Sequence, residues 1–405
     1  MKKELNNKPI VNIFVITILL SFALWFVGFV LFNRISYQPN LFFLRMSNFL
    51  ADFTNVVGYS ATRDPYNSLA YTGLQEKAYP PLCYVLMYAF SRIVNIEPYY
   101  EANFFLNMYT EPPFLMAFMV FTFITIVIIY EMIKNLKTGS NNLKALVSLS
   151  FIVSSPFLFS IERGNLVLLT FMLVMFYVAF YDSDNKILKE LALIALALAA
   201  ALKLSPACFG VLLLREKRWK ESIRVVIYGI IFGFGPFLLL KGGLANIPLF
   251  IRNIGLQMEA YKYNEGLTVL SFFMHYLRIE VSEPLILVSK AITYILTAML
   301  LVIIFISEKK WIQLLCTALI IIILPGHSEY YNILFLFPAF VLFLNKEKYN
   351  FFDILLFISI LIILFDFQTI IKILINYHLG MLLMIIYSIY LFAQSIKTIK
   401  AKKQV

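Results

Sequence analysis

Residues 10–32 read IVNIFVITILLSFALWFVGFVLF, and Lys2, Lys3 and Lys8 stand ahead of them. A helix needs roughly 20 apolar residues to cross the hydrocarbon of a bilayer, and this run is long enough. It is too long for the apolar core of a secretion signal, and no small-x-small cleavage site follows it. The stretch therefore reads as an uncleaved first membrane span.

The rest of the chain has the same character. Of 405 residues, 61% are hydrophobic and only 14% charged, with 40 Phe and 24 Tyr, and the mean hydropathy is +0.82. Soluble domains sit near half apolar and a quarter charged, so hydrocarbon has to solvate this surface. Apolar runs recur at 10–33, 113–133, 143–160, 165–181, 188–202, 204–214, 223–240, 284–306, 311–325, 330–344, 351–368 and 378–396. The expected fold is an all-α polytopic membrane protein of about twelve transmembrane helices, one integral domain over residues 1–405.

Charge orients the spans. Lys134–Lys144, Arg215–Arg224, Lys309–Lys310, Lys346–Lys348 and Lys397–Lys403 are basic, and the positive-inside rule places them in the cytoplasm. Twelve spans then put both termini inside, and the net charge of +11 falls on the cytoplasmic side. That surplus reflects insertion and does not indicate a nucleic-acid partner. The scheme predicts a multi-pass protein of the inner (plasma) membrane. It has a first extracytoplasmic loop at 34–112, a core bundle at 113–344, a second extracytoplasmic loop at 241–283 and C-terminal helices at 345–405. The apolar stretch Tyr79–Val94 is short, and parity forbids it to cross, so it reads as a helix lying at the interface. Residues 188–214 must go out and back, broken at Lys203-Leu-Ser-Pro206.

Ionisable groups at a membrane boundary are costly and mark function. On this topology the outward-facing set is Asp52, Arg63, Asp64, Glu162, Arg163, Lys203, His327 and Glu329, and a helical bundle could gather them at one outer cavity. Asp52 follows Phe49-Leu50-Ala51, where a partly desolvated carboxylate suits a general base; the alternative is a helix N-cap. Asp64 precedes Pro65, as turn residues do. Arg163, in Ile161-Glu162-Arg163-Gly164-Asn165, reads as a bidentate phosphate grip, as a snorkelling side chain or as the partner of Glu162. Lys203 closes an apolar helix and suits either snorkelling or a lipid phosphate, and Pro206 opens a short helix whose N–H groups favour an anion. Pro325-Gly326-His327-Ser328-Glu329-Tyr330-Tyr331 packs a His, a Glu and two Tyr into one turn, a pattern that points to substrate contact. His275 and His378 lack such company. Cys83, Cys208 and Cys316 lie far apart in apolar runs, without metal spacing. No nucleotide-binding motif appears.

The order of motifs resembles a known family. One span is followed by an outer loop with an early Asp, then Tyr79-Pro80-Pro81-Leu82, then Glu162-Arg163-Gly164-Asn165. Lys203-x-x-Pro206 precedes Arg215-x-x-Arg218-Trp219, and Pro325-Gly326-His327-x-x-Tyr330-Tyr331 comes late. Over roughly Met46 to Phe343 this resembles the polyprenol-phosphate-sugar-dependent glycosyltransferases of the GT-C superfold, and within them glycosyltransferase family 87, the mannosyltransferase type. The resemblance implies a polyprenyl-phosphate hexose donor, with mannose or a similar sugar, and a glycolipid or surface-polysaccharide acceptor. It implies inversion at the extracytoplasmic face without metal or cofactor. Asp52 takes the role of base, with the second acid Asp64 twelve residues on as its competitor. Arg163 and Lys203 take that of cations on the departing phosphate. Arg63, Tyr79, Glu162, Asn165, His327, Glu329 and Tyr330 are the remaining candidates for substrate contact. Two other classes fit the same compartment: a transporter or flippase of lipid-linked saccharides, and a polymerase or ligase of surface polysaccharide.

Overall fold

The computed structural model describes residues 5–32, 49–68, 73–102, 104–261, 266–276, 278–325, 327–365 and 377–402. Parts of the expected loops (34–48, 69–72, 103 and 262–265), Gly326, residues 366–368 of one expected span and the His275 side chain lie outside them. The described residues are mostly helical, with short 3₁₀ segments and turns between the helices, and they include one short antiparallel pair, Leu5–Asn6 with Lys348–Tyr349.

Among the described residues four helices are long and apolar enough to cross a membrane: Pro112–Leu136, Trp219–Leu239 (its last turn 3₁₀), Glu283–Ile306 and Tyr377–Lys397. A fifth forms if Asn141–Ile152 and Ser155–Arg163, bent by 52°, count as one span. Along Pro112–Leu136, Met116, Met119, Val120, Phe123, Ile124 and Val127 are exposed. That spacing makes one helical stripe, and an apolar stripe left outside the protein is a surface for lipid.

Several expected spans are shorter or broken, and proline explains the breaks. Pro156 lacks a donor, so the helix ending at Ile152 cannot run through it. The run at 204–214 is a 3₁₀ turn, Ser205–Gly210, followed by Val211–Arg215, with Pro206 at the start. The run at 330–344 is a 3₁₀ segment, Tyr330–Leu336, followed by Phe337–Phe343, with Pro338 at the join. The expected interfacial stretch forms the helix Pro81–Ser91, which enters on Pro80-Pro81, as a first-turn proline allows.

The chain divides into two compact units. One holds Tyr130–Phe159, Glu265–Val405 and the N-terminal stretch up to Leu44; the other holds Arg45–Ile129 and Ser160–Asn264. At the centre of the first, helix Lys310–Ile323 is buried from Trp311 to Ile323, the mark of a helix apolar all round. It packs on Glu283–Ile306, Tyr330–Leu336 and Phe337–Phe343. The core of the second is aromatic. The Phe53 ring meets those of Phe90 at 4.9 Å, Phe118 at 5.0 Å and Phe114 at 5.6 Å, all edge-on, the geometry that ring quadrupoles favour. Phe53 belongs to the short helix Ala51–Ser60, so this core fixes the helix that carries Asp52.

Candidate active site

Two chain segments that begin about 110 residues apart meet at Asp52. The first starts at Leu50, which caps the Ala51–Ser60 helix in the left-handed region (φ 53°, ψ 19°). A side chain there costs roughly 1–2 kcal/mol, strain of the kind that gathers at functional sites. The Leu50 carbonyl accepts from the N–H groups of Phe53 and Thr54 at 3.0 and 2.9 Å, which opens the helix. Asp52 therefore sits in the first turn, and the N-cap reading gives way to Leu50.

The second segment is the end of the Ser155–Arg163 helix. The Gly164 N–H donates to the Ile161 carbonyl at 2.9 Å and the Asn165 N–H to the Ser160 carbonyl at 3.2 Å, with Gly164 at φ +62°. This is a Schellman helix end. Glu162-Arg163-Gly164-Asn165 is thus a structural word: the last two helical residues, the left-handed glycine, and the residue that the reversal turns aside.

The two segments are clamped. The Leu50 N–H donates to the Glu162 carbonyl at 2.7 Å. Gly164 lies against Phe53, where a Cβ would stand 2.7 Å from that of Phe53. Across the clamp, Arg163 Nη2 donates to Asp52 Oδ1. Asn165 Nδ2 donates to Asp52 Oδ2 at 2.7 Å. The Asn165 Oδ1 in turn accepts from the Val167 N–H at 2.8 Å, which fixes the amide. Arg163 pairs with Asp52, and Glu162 is buried beside it in the chain.

The remaining candidates of this unit fall into place individually. Asp64 accepts from Asn67 Nδ2 at 3.0 Å within its own turn, and its N–H bonds Thr62 Oγ1 at 3.3 Å. Arg63 is exposed, and its Nε and Nη2 donate to the Leu239 carbonyl. The Arg63 carbonyl accepts from the Lys241 N–H at 2.7 Å, so the residue ties two loops. The Tyr79 carbonyl accepts from the Tyr66 hydroxyl at 2.9 Å, and its ring meets Tyr84 edge-on. Lys203 is the half-buried, extended C-cap of the Lys186–Leu202 helix. Leu50, Phe53, Leu166 and Leu202, which flank Asp52, Asn165 and Lys203, share one apolar core.

His327, Glu329 and Tyr330 lie in the other unit. His327 Nε2 is 3.1 Å from Glu329 Oε1. Tyr330 is buried; its hydroxyl donates to the Ile363 carbonyl, and its ring packs between Phe159 and Tyr377. These bonds give Tyr330 a packing role.

A model of glycosyltransferase family 87 matches residues 78–325, more than half of the chain. The chain belongs to glycosyltransferase family 87. It is therefore a membrane glycosyltransferase. The matched stretch of this family 87 member contains Tyr79, Glu162, Arg163, Asn165 and Lys203; Asp52, Arg63 and Asp64 precede it, and His327, Glu329 and Tyr330 follow it. No curated protein matches the chain.

Two further polar residues of the unit that holds Asp52, Asn55 and Lys77, escape a reading of the sequence. Asn55 lies one turn beyond Asp52 on the same helix, so their side chains are neighbours. Its Oδ1 is buried without a hydrogen-bond partner, which in a native site calls for a reason. Lys77 is fully buried, with Nζ 4.7 Å from the centre of the Tyr59 ring. Burial pushes its pKa down to about 8, against the pull of Glu76. Asn253 donates to the carbonyls of Tyr66 and Lys77, at 3.1 Å each, and holds that loop down. The one trace of Lys77 in the sequence is its place two residues before Tyr79-Pro80-Pro81, where the loop turns into an apolar helix.

Proposed function

We propose that this family 87 glycosyltransferase moves a hexose from a polyprenyl-phosphate donor to a glycolipid or surface-polysaccharide acceptor, with inversion. Transfer takes place at the extracytoplasmic face of a plasma-membrane bundle of about twelve helices, both termini inside. Asp52 is the base that takes the proton of the attacking hydroxyl. One observation carries this reading: both oxygens of Asp52 are fixed, one by Arg163 and one by Asn165, on a strained helix start. A carboxylate so held keeps one orientation, and it retains lone pairs for a substrate hydroxyl. Asp64, by contrast, is engaged in its own turn.

In this scheme the leaving group is a phosphate that departs readily, so the enzyme supplies a base, positive charge and geometry. Arg163 stands beside the base and Lys203 ends a helix in the same core, and the two cations meet the charge that develops on the polyprenyl phosphate. Asn55 offers its unpartnered oxygen to a sugar hydroxyl. The donor is a mannosyl lipid or one carrying a similar hexose.

Purified enzyme incubated with labelled polyprenyl-phosphate hexoses and a glycolipid acceptor tests the proposal. A product one sugar longer, with the anomeric configuration inverted, supports it. Block transfer of a whole glycan indicates a polymerase or ligase, and movement of lipid-linked sugar across vesicles without a new bond indicates a transporter; either result overturns it.

A further inference from the structure

In the unit that lacks Asp52, a cavity of about 540 Å³ opens among the ends of four helices. Its walls are apolar at Ile303, Ile312 and Leu391, and its floor is polar at Lys346, Asp353 and Tyr387. The volume falls in the range of small-molecule sites, roughly 300–1,000 Å³.

The floor is built with care. Asp353 is almost fully buried and heads a capping box with Asn350. It accepts from Lys346 Nζ at 2.7 Å, the Asn350 N–H at 2.9 Å and the Tyr387 hydroxyl at 3.1 Å, so its acceptor capacity is largely spent. Lys346 is in the opposite state. Its ammonium carries three donors, and Asp353 is its one hydrogen-bonding partner among the described residues. The rings of Trp311, Phe343 and Tyr349 hold it in place at 5.1, 5.7 and 5.7 Å. Two positioned donors thus face no protein acceptor in a cavity that the same lysine lines.

A second ammonium stands close by. Lys309 lines the same cavity and is exposed. Burial, together with the repulsion of Lys309, lowers the pKa of Lys346 against the pull of Asp353. Two cations that repel one another across an open cavity favour an anion between them. Glu308 is the carboxylate on the rim. In the framing segments Lys309, Lys310, Lys348 and Lys397 outnumber Glu308 and Glu347.

We propose that this cavity binds the phosphate of an anionic membrane lipid, held between Lys346 and Lys309, with the glycerol and upper acyl chain against Ile303, Ile312 and Leu391. The apolar wall selects a lipid over a free phosphate, and the lysine surplus selects an anionic headgroup over a zwitterionic one. Basic pockets between membrane helices bind anionic headgroups by these same forces.

Native mass spectrometry of the purified full-length protein, titrated with phosphatidylglycerol, phosphatidylcholine or glycerol phosphate, reads the site. Phosphatidylglycerol should be retained at least about fivefold over phosphatidylcholine. Lys309→Ala and Lys346→Met should each lower that retention about fivefold, the worth of one lysine near a lipid surface. Lys346→Met strips Asp353 of its cation, so a thermal melt accompanies it; if that variant is unfolded, the exposed Lys309→Ala decides alone. Equal retention of the two lipids, unchanged retention in Lys309→Ala, or glycerol phosphate binding as tightly as the lipid would overturn the proposal.

Discussion

Gly164 packs so closely on Phe53 that a Cβ added to the glycine would lie 2.7 Å from the Cβ of Phe53. The contact joins a helix end to a helix start and sets Asp52 against Arg163 and Asn165.

Gly164→Ala should damage the protein twice. The residue sits at φ +62°, where a side chain costs roughly 1–2 kcal/mol, and the new methyl group must push Phe53 away. Since Phe53 adjoins Asp52, the variant should lose at least about tenfold in transfer rate while its melting temperature in detergent falls by a few degrees. Transfer at the unaltered rate would mean that the clamp does not position the site.

Arg163→Lys keeps the charge and loses the planar fork. At a carboxylate partner that exchange is not conservative. A fall of about tenfold or more in transfer is expected, with the larger share in kcat if the guanidinium acts on charge that develops during the reaction. Steady-state kinetics of the two proteins decide it.

Asp64→Asn should leave transfer within about twofold of the parent, because its carboxylate serves Asn67 and its own turn, and surface turn changes cost little. A loss comparable to that of an essential base would move the base from Asp52 to Asp64.

Lys77 gives the protein a pH signature. Its folded pKa is lowered to about 8 from an ordinary 10.5, so burial penalises the charged form. Below pH 8 both folded and unfolded chains are protonated and the penalty is complete. Between about pH 8 and 10.5 the unfolded chain binds more protons than the folded one, so stability rises with pH across that window. Thermal melts of Lys77→Met should lack this rise, and a parallel slope in the variant would assign the effect to another group.

The sequence carried the class of fold plainly, and it carried the breaks less well. The long apolar runs at 113–133 and 284–306 reappear as Pro112–Leu136 and Glu283–Ile306, because hydropathy over a full span leaves little choice. The runs at 204–214 and 330–344 instead hold a proline that converts half of each into a 3₁₀ segment. For the site, the motif Glu162-Arg163-Gly164-Asn165 and the acid Asp52 are both legible, but their direct pairing is not. The Asp52–Arg163 pair spans 111 residues, and the Leu50–Glu162 backbone bond and the contact of Gly164 with Phe53 bring the two together. Lys77 was hidden for a related reason: a lysine in a loop reads as solvated until Tyr59 and Asn253 are known to enclose it.

Asp52→Asn tests the central claim most directly. The amide oxygen can still accept from Arg163, but its NH2 then faces Asn165 Nδ2, donor against donor, so the variant should insert and melt a few degrees below the parent, and it cannot take a proton. Transfer from a polyprenyl-phosphate hexose should therefore fall by about 10²–10⁴-fold, the worth of a general base. Turnover within about twofold of the parent, in a variant that folds normally, would contradict Asp52 as the base.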